Sequence, residues 1–135
     1  MILEGLILVG IFYIFASSGS STVSKPDERE ENERLRNIKG MLEILSGNSN
    51  FELIGYNGNP KTVDKKYIYL NVSIKYDMDT ISKAAIHELA HVLCPEVGHT
   101  TLFYAIEKNL LSSAIRLGYV NGYEMLDNVY PCDAI

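Results

Sequence analysis

The stretch Ile86-His87-Glu88-Leu89-Ala90-His91 decides how the rest of this 135-residue chain is interpreted. Histidines four residues apart lie one above the other on a single face of an α-helix, so both imidazoles can reach one metal ion. Glu88 follows the first histidine and would lie beside that ion, where its carboxylate can take a proton from a water molecule. The alternative is a chance pentapeptide whose histidines merely line a core or a surface. His87 and His91 are therefore predicted metal ligands, and Glu88 is a predicted general base.

The surrounding residues predict that this motif lies on a buried, capped helix. Its apolar residues recur with helical spacing. They are Ile81, Ala84, Ala85, Ile86, Leu89, Val92 and Leu93. The candidate N-cap residues just before it are Asp77, Asp79 and Thr80. Pro95 and Gly98 are expected to end the helix soon after His91.

The segment before this helix is predicted to form a half-buried β-strand over Tyr67–Lys75, because apolar residues alternate there with polar and aromatic ones. The residues expected on its covered face are Ile68, Leu70, Val72 and Ile74. A shorter strand is predicted over Phe51–Tyr56, followed by a turn at Asn57-Gly58-Asn59-Pro60. A strand so close to the motif could bind an extended peptide along its edge, or it could be an ordinary hairpin strand that covers the core.

A leading helix is predicted upstream of these strands. Its first turns are highly charged, with Glu30 and Arg34 spaced for an ion pair on one helix face. An apolar stripe follows, made of Leu35, Ile38, Met41, Leu42 and Leu45. Ser24, with Asp27 three residues later, indicates a capping box at the start, and Gly47 is expected to end the helix.

The N-terminus contains an uninterrupted run of apolar residues and glycine, Gly5–Ala16. This run is shorter than the ~20 residues that span a bilayer as a helix, although small polar residues as far as Ser21 extend it to that length. Three interpretations remain: an uncleaved membrane anchor, a cleaved signal peptide without the usual basic start, and a buried segment of the domain. We expect an anchor or signal segment over 1–21, a linker over 22–26 and a domain over 27–135. The expected location is a membrane through a single N-terminal pass, or the secreted space after cleavage.

The charge and the cysteine content exclude some classes of protein. Twelve basic and 17 acidic side chains leave a net charge of −5, which argues against a broad nucleic-acid-binding surface. Cys94 and Cys132 are too few for a disulfide framework, and they could pair or remain thiols. The length suits one small domain with a hydrophobic core and an appendage.

A catalytic zinc site needs three protein ligands and an open position. His99 is the only other histidine, and it lies between Gly98 and a second predicted helix that runs to about Leu117, where Gly118 stops it. The inner face of that helix is expected to contain Phe103, Ile106, Leu110 and Ala114. Because imidazole is a common zinc ligand, His99 is the preferred third ligand. Other candidate ligands remain open, namely Cys94, Glu96 and Glu107.

The motif, the short loop after it and the pattern Gly98-His99-x-x-x-Phe103 together resemble the small zincins of the WLM and SprT (Spartan)-like group. This resemblance covers about residues 60–118. The chain looks like an abbreviated member of the group, of the kind encoded by large DNA viruses. The zinc ligands that the resemblance implies are His87, His91 and His99. It also implies that Glu88 is the general base and that the strand before the motif helix aligns the substrate. The cellular repair proteases of that group have binding extensions and no hydrophobic N-terminus, so the resemblance concerns the chemistry more than the biological role.

These observations predict an α+β fold: a compact zincin-like domain with a leading helix, a small mainly antiparallel sheet, the motif helix and a second core helix, behind an N-terminal hydrophobic segment. The favoured function is a zinc-dependent endopeptidase with one Zn²⁺ and a protein or peptide substrate. The alternative is a membrane-tethered, zinc-stabilised binding module without activity, which full coordination by Cys94 and the three histidines would favour. A DNA-associated repair protease is disfavoured by the acidic charge, and no nucleic-acid partner is expected.

The C-terminal residues from Tyr119 onward carry the weakest signal. Tyr119, Tyr123 and Tyr130 could include a hydrogen-bond donor to the oxyanion of a peptide-hydrolysis intermediate, or they could simply pack with their hydroxyl groups at the surface. Cys132 is expected to lie in a segment that folds back on the core.

Overall fold

The computed structural model describes residues 25–47, 50–123 and 132, which form an α+β fold. Its elements in chain order are α1 (Pro26–Ser46), β1 (Glu52–Gly55), β2 (Lys61–Val63), β3 (Tyr67–Leu70), α2 (Met78–Leu93) and α3 (Thr101–Arg116). The predicted anchor over 1–21 lies outside the described residues. Among the helices that are described, none combines the length and the apolar character needed to cross a bilayer.

The leading helix α1 begins one residue later than a cap at Ser24 predicts, and its N-cap is a different residue. Lys25 is the N-cap and makes no side-chain capping bond, while Pro26 occupies the first turn, where its missing N–H is not needed. The predicted capping box from Ser24 is therefore wrong, because the helix starts after Lys25. The predicted stop is confirmed: Gly47 adopts a left-handed φ of 74°, and its N–H bonds the carbonyl of Glu43.

The predicted apolar stripe of α1 faces the core. Ile38, Met41 and Leu42 are buried, and Leu35 and Leu45 pack against them while remaining partly exposed. The predicted ion pair forms at 3.5 Å between Arg34 and Glu30.

The sheet is mixed, and the prediction of a mainly antiparallel sheet is wrong. Its strand order is β1-β3-β2, with β1 parallel and β2 antiparallel to β3. The reason is the short strand β2, Lys61–Val63, which the sequence analysis did not identify. The chain reverses direction once between β1 and β2 and again between β2 and β3, so β1 and β3 run the same way.

The strand before the motif helix is shorter than predicted, ending at Leu70 instead of Lys75. The side chain of Asn71 accepts a hydrogen bond from the N–H of Ser73 at 3.0 Å, a local bond that replaces strand pairing. Ile68, Leu70 and Val72 are buried as the alternation predicts. Ile74 is 39% exposed, because the chain has already left the sheet there.

Helix α2 is the central element, since it contacts both other helices and the strands β2 and β3. Asp77, one of the predicted caps, accepts a bond from the N–H of Thr80 at 2.7 Å. The hydrogen bonds to Asp77 from Thr80 lower the pKa of this carboxyl group below 3.8. Every residue from Ile81 to His91 is buried, because α2 packs against both other helices and the sheet. The motif therefore lies on a helix that packing holds on nearly all sides.

Arg34 ties α1 to the start of α2. Its Nη1 donates to the carbonyl of Ser73 at 3.1 Å and to that of Tyr76 at 2.7 Å. Helix α3 begins where Thr100 accepts a bond from the N–H of Phe103 at 3.2 Å, and it ends at Arg116, close to the predicted stop. Phe103, Leu110 and Ala114 on its inner face are buried as predicted.

Candidate metal centre

The three histidines of the chain come together at one point. The Nε2 atom of His99 lies 3.1 Å from that of His87 and 3.2 Å from that of His91. The helix supplies the first pair through its four-residue spacing. Gly98, with a left-handed φ of 89° that suits glycine, precedes His99 in the loop that brings this residue to the pair. The structure thus places all three predicted ligands in one cluster.

The ring of Phe103 packs against all three imidazole rings. This residue is fully buried, and its ring stacks on that of His91 with a centroid distance of 4.3 Å and an interplanar angle of 29°. The rings of His87 and His99 lie 5.0 and 4.9 Å from the Phe103 ring. This aromatic residue in the first turn of α3 therefore restricts the orientation of every imidazole in the cluster.

Glu107 fixes the orientation of His87 from the other side of the ring. Its Oε2 lies 2.5 Å from Nδ1 of His87, and both side chains are buried. A carboxylate that accepts the Nδ1 proton directs Nε2 of the same imidazole toward a metal ion and increases its basicity. Glu107 was an open candidate for the third ligand, but the structure gives it this orienting position instead.

A fourth donor atom, which the sequence analysis did not include among the ligands, belongs to Cys132. Its Sγ lies 3.8 Å from Nε2 of His91, although 41 residues separate the two in sequence. The four donor atoms all lie within 4.8 Å of one another. Cys132 thus lies at the candidate metal centre, while the rest of the segment that was expected to fold back lies outside the described residues.

The spacing of these donor atoms fits a tetrahedral metal site. With bonds of about 2.0–2.1 Å to nitrogen and about 2.3 Å to sulfur, tetrahedral ligands lie about 3.4 Å apart for two nitrogens and about 3.6 Å apart for nitrogen and sulfur. The separations of 3.1, 3.2 and 3.8 Å are close to these values. The group formed by His87, His91, His99 and Cys132 could hold one metal ion.

The electrostatic environment also suits metal binding. Burial, together with the neighbouring imidazoles and Lys65, lowers the pKa of His91 from 6.5 to about 4. The ring is therefore neutral at pH 7, with a lone pair available for a metal ion, so no proton has to be displaced from it.

Glu88 is fully buried on the side of α2 that faces the sheet. Thr62 on β2 donates its hydroxyl proton to Oε1 of Glu88 at 2.7 Å, and the backbone carbonyl of Glu88 lies 3.1 Å from the same hydroxyl. The predicted general base is thus held by a residue of the strand that sequence reasoning missed.

Lys65 connects the β2–β3 turn to the loop that leads to His99. Asp64 and Lys65 both have positive φ angles, 56° and 50°, and the N–H of Lys66 bonds the carbonyl of Val63 at 3.1 Å, as in a β-turn with Asp64 and Lys65 at its centre. From this turn, Nζ of Lys65 donates to the carbonyl of His91 at 3.0 Å and to that of Glu96 at 2.9 Å. Its side chain therefore holds the end of α2 and the following loop together.

The remaining candidate ligands do not join the cluster. Cys94 is fully buried in the hydrophobic core and is not in a disulfide. Glu96 is exposed. Among the tyrosines considered as oxyanion donors, Tyr119 and Tyr123 are exposed, and the hydroxyl of Tyr123 lies 3.2 Å from Oγ of Ser112. Tyr130 lies outside the described residues.

The strand before the motif helix cannot offer an open edge. β3 is the central strand, hydrogen-bonded to β1 on one side and to β2 on the other. The expectation that a peptide aligns along an open edge of this strand is therefore wrong. Within the described residues, β2 is the edge strand that also contacts α2, through Thr62.

Comparison with known proteins finds viral relatives. The chain is 36% identical over 92 residues to uncharacterized protein 136R of Invertebrate iridescent virus 6, a match that covers 62% of this chain and 52% of the relative. It is 44% identical over 63 residues to uncharacterized protein 042R of Invertebrate iridescent virus 3, covering 43% of this chain and 40% of the relative. The chain thus spans about half the length of these relatives or less. These matches support the viral character that the sequence indicated.

No protein-family profile matches the chain. No solved structure matches it either. The assignment of a function therefore depends on the geometry of the metal centre.

Proposed function

We propose that the chain is a zinc-dependent endopeptidase in which His87, His91 and His99 hold one Zn²⁺ and Glu88 is the general base. The observation that carries the proposal is the convergence of three imidazole Nε2 atoms, with that of His99 3.1–3.2 Å from the other two, together with a buried glutamate that follows His87 in the sequence of α2. The resemblance of the motif to small zincins of the WLM and SprT-like group supports the same chemistry. Bound there, zinc would acidify a water molecule and polarise the carbonyl of the scissile peptide bond.

Three further residues of the site would have separate roles in this reaction. Glu88 would take a proton from the attacking water and later deliver it to the leaving amine. Thr62 would hold the Glu88 carboxylate through its bond to Oε1. Glu107 would keep Nε2 of His87 directed at the metal through its bond to Nδ1. Each of these contacts exists before substrate binds, so the groups would not need to reorganise during the reaction.

A protein or peptide substrate would align along the β2 edge. This strand carries Thr62, so an extended chain paired with its backbone would pass close to Glu88. A membrane location through the N-terminal hydrophobic segment belongs to the same proposal, since an anchored peptidase would act on substrates near that membrane.

The test compares the full-length protein with its Glu88→Gln and Glu96→Gln variants after zinc loading. The substrate is an unfolded protein, and mass spectrometry identifies the fragments. Glu88→Gln should bind zinc as well as the unaltered protein but lose hydrolysis, because the amide cannot accept the proton. Glu96→Gln is the matched control, since it removes an exposed carboxylate of the nearby loop, and it should retain activity. Unchanged hydrolysis by Glu88→Gln would contradict the mechanism.

A second function is favoured by one specific observation, the position of Cys132. Structural zinc sites are usually closed by four protein ligands, and Sγ of Cys132 completes such a set at 3.8 Å from His91. A zinc-stabilised binding module, tethered to a membrane by the N-terminal segment, would need no general base. Hydrolysis that depends on Glu88 separates the two functions.

A further inference from the structure

The four donor atoms of the metal centre are held in different ways. His87 and His91 project from a helix that is buried along its length, and His99 precedes the capped start of α3. All three rings pack against Phe103. Cys132 comes from a distant part of the sequence and is half-buried, while His99 is exposed. The three imidazoles thus have positions set by the packing of α2 and α3, whereas the thiol is added to them from outside these helices.

The presence of Cys132 also conflicts with the presence of Glu88 if the site has one state only. A site closed by four protein ligands has no position for water or substrate. A buried glutamate held by Thr62 directly after the first histidine has a chemical use only when such a position exists. The two features are compatible if the fourth ligand can leave.

We propose that Cys132 is a displaceable fourth ligand, here called the Cys132 latch, which keeps the metal centre closed and inactive until its sulfur is released. The inference rests on the peptidase function proposed above. On release the bond between sulfur and the metal breaks, the electron pair stays on sulfur, and a proton from solvent completes the thiol. No electron transfer is involved, and the position that becomes open lies among the three imidazoles.

Cys94 provides an internal comparison for this proposal. It is the other cysteine of the chain, it lies only three residues after His91, and its side chain is fully buried in the core. A thiol effect that belongs to the latch must therefore follow Cys132 and not Cys94.

The first experiment is spectroscopic and does not depend on activity. The full-length protein and its Cys132→Ala and Cys94→Ala variants are loaded with Co²⁺, and the thiolate-to-cobalt charge-transfer band in the near ultraviolet is recorded. The band should be present in the unaltered protein and in Cys94→Ala, and absent from Cys132→Ala. Because loss of an outer partner of a ligand already weakens metal binding by about 10- to 100-fold, loss of the Cys132 ligand should weaken it by at least about tenfold. A band that persists in Cys132→Ala would overturn the proposal.

The second measurement uses the unaltered protein, so it does not depend on the folding of a variant. Iodoacetamide alkylates a thiolate by forming a sulfur–carbon bond with loss of iodide. With zinc in large excess over its Kd, alkylation of Cys132 should slow by at least about tenfold, because only the released sulfur reacts. Equal alkylation rates with and without zinc would overturn the latch.

Hydrolysis then separates failure of the latch from failure of the proposed function. If both hold, zinc-loaded Cys132→Ala cleaves an unfolded protein at least about tenfold faster than the unaltered protein, since its open state no longer competes with a closed one. If the unaltered protein cleaves substrate but the cobalt band does not depend on Cys132, the latch fails and the peptidase stands. If the band depends on Cys132 but no variant cleaves substrate, the peptidase fails, and Cys132 is a permanent structural ligand.

Discussion

Replacement of Glu107 by glutamine tests whether the metal centre is organised by its outer partner. The carboxylate lies 2.5 Å from Nδ1 of His87, and both side chains are buried. Glutamine keeps the volume and an accepting oxygen, but it removes the negative charge. A hydrogen bond to a charged group contributes about 1.5–3 kcal/mol. Loss of an outer partner weakens metal binding by about 10- to 100-fold, which corresponds to about 1.4–2.8 kcal/mol. We therefore expect Glu107→Gln to raise the Kd for zinc by this factor.

The measurement is a competition titration with a chromophoric chelator at neutral pH, and circular dichroism verifies that each variant is folded. Glu96→Gln is the control, because it removes one carboxylate at an exposed position and should leave the Kd unchanged. X-ray absorption of the zinc-loaded variants shows whether the number of imidazole ligands is preserved. Three imidazoles in both variants are expected, since Glu107 contacts a ligand and is not one itself.

Two results would refute this reasoning. An equal Kd for Glu107→Gln and the unaltered protein would mean that the contact with His87 does not orient a ligand. Loss of an oxygen ligand from the zinc shell in Glu107→Gln would mean that Glu107 coordinates the metal directly, as the sequence alone left open.

Three further predictions concern groups around the site. Thr62→Val removes a hydroxyl that bonds the buried Glu88 carboxylate, and should lower the free energy of unfolding by about 1–3 kcal/mol in urea denaturation, with Thr62→Ser restoring most of it. Lys65→Met removes two hydrogen bonds to the carbonyls of His91 and Glu96, and should cost about 1–2 kcal/mol by the same assay; an unchanged urea midpoint would contradict the role of this side chain. The folded metal-free protein keeps the pKa of His91 near 4, below its ordinary value of 6.5, so the unfolded chain binds a proton first and stability should fall as the pH drops from about 6.5 toward 4. Urea midpoints measured at several pH values check this slope, and His91→Gln should flatten it.

Much of the fold follows from local patterns. The apolar spacing of the motif helix, Asp77 at its start, and Gly47 at the end of α1 were all readable, because helix periodicity and capping depend on residues within a turn of one another. The length of β3, by contrast, could not be predicted from its local pattern. Its alternating pattern continues to Ile74, but the side-chain bond of Asn71 to the backbone ends the strand at Leu70.

The strand order and directions of the sheet could not be predicted from local patterns, because they depend on the whole chain. β2 has three residues, too few for a period to be recognised, yet its presence places β3 at the centre and makes β1 parallel to it. It also brings Thr62 to Glu88. A signal for Glu107 did exist: a carboxylate four residues after Phe103 interrupts the apolar inner face of α3, and a charge at such a position usually has a partner.

By itself, the sequence determined that His87 and His91 share one helix face with Glu88 between them, because a four-residue spacing has this consequence wherever a helix forms. It also identified His99 as the candidate to join them, since no other histidine exists. Only the tertiary structure decided that Cys132 lies in the donor cluster while Cys94 is buried in the core, and that Glu107 contacts His87. These contacts join residues 20–41 positions apart, and the tertiary packing that places Cys132 and α3 against α2 creates them, which no local spacing encodes.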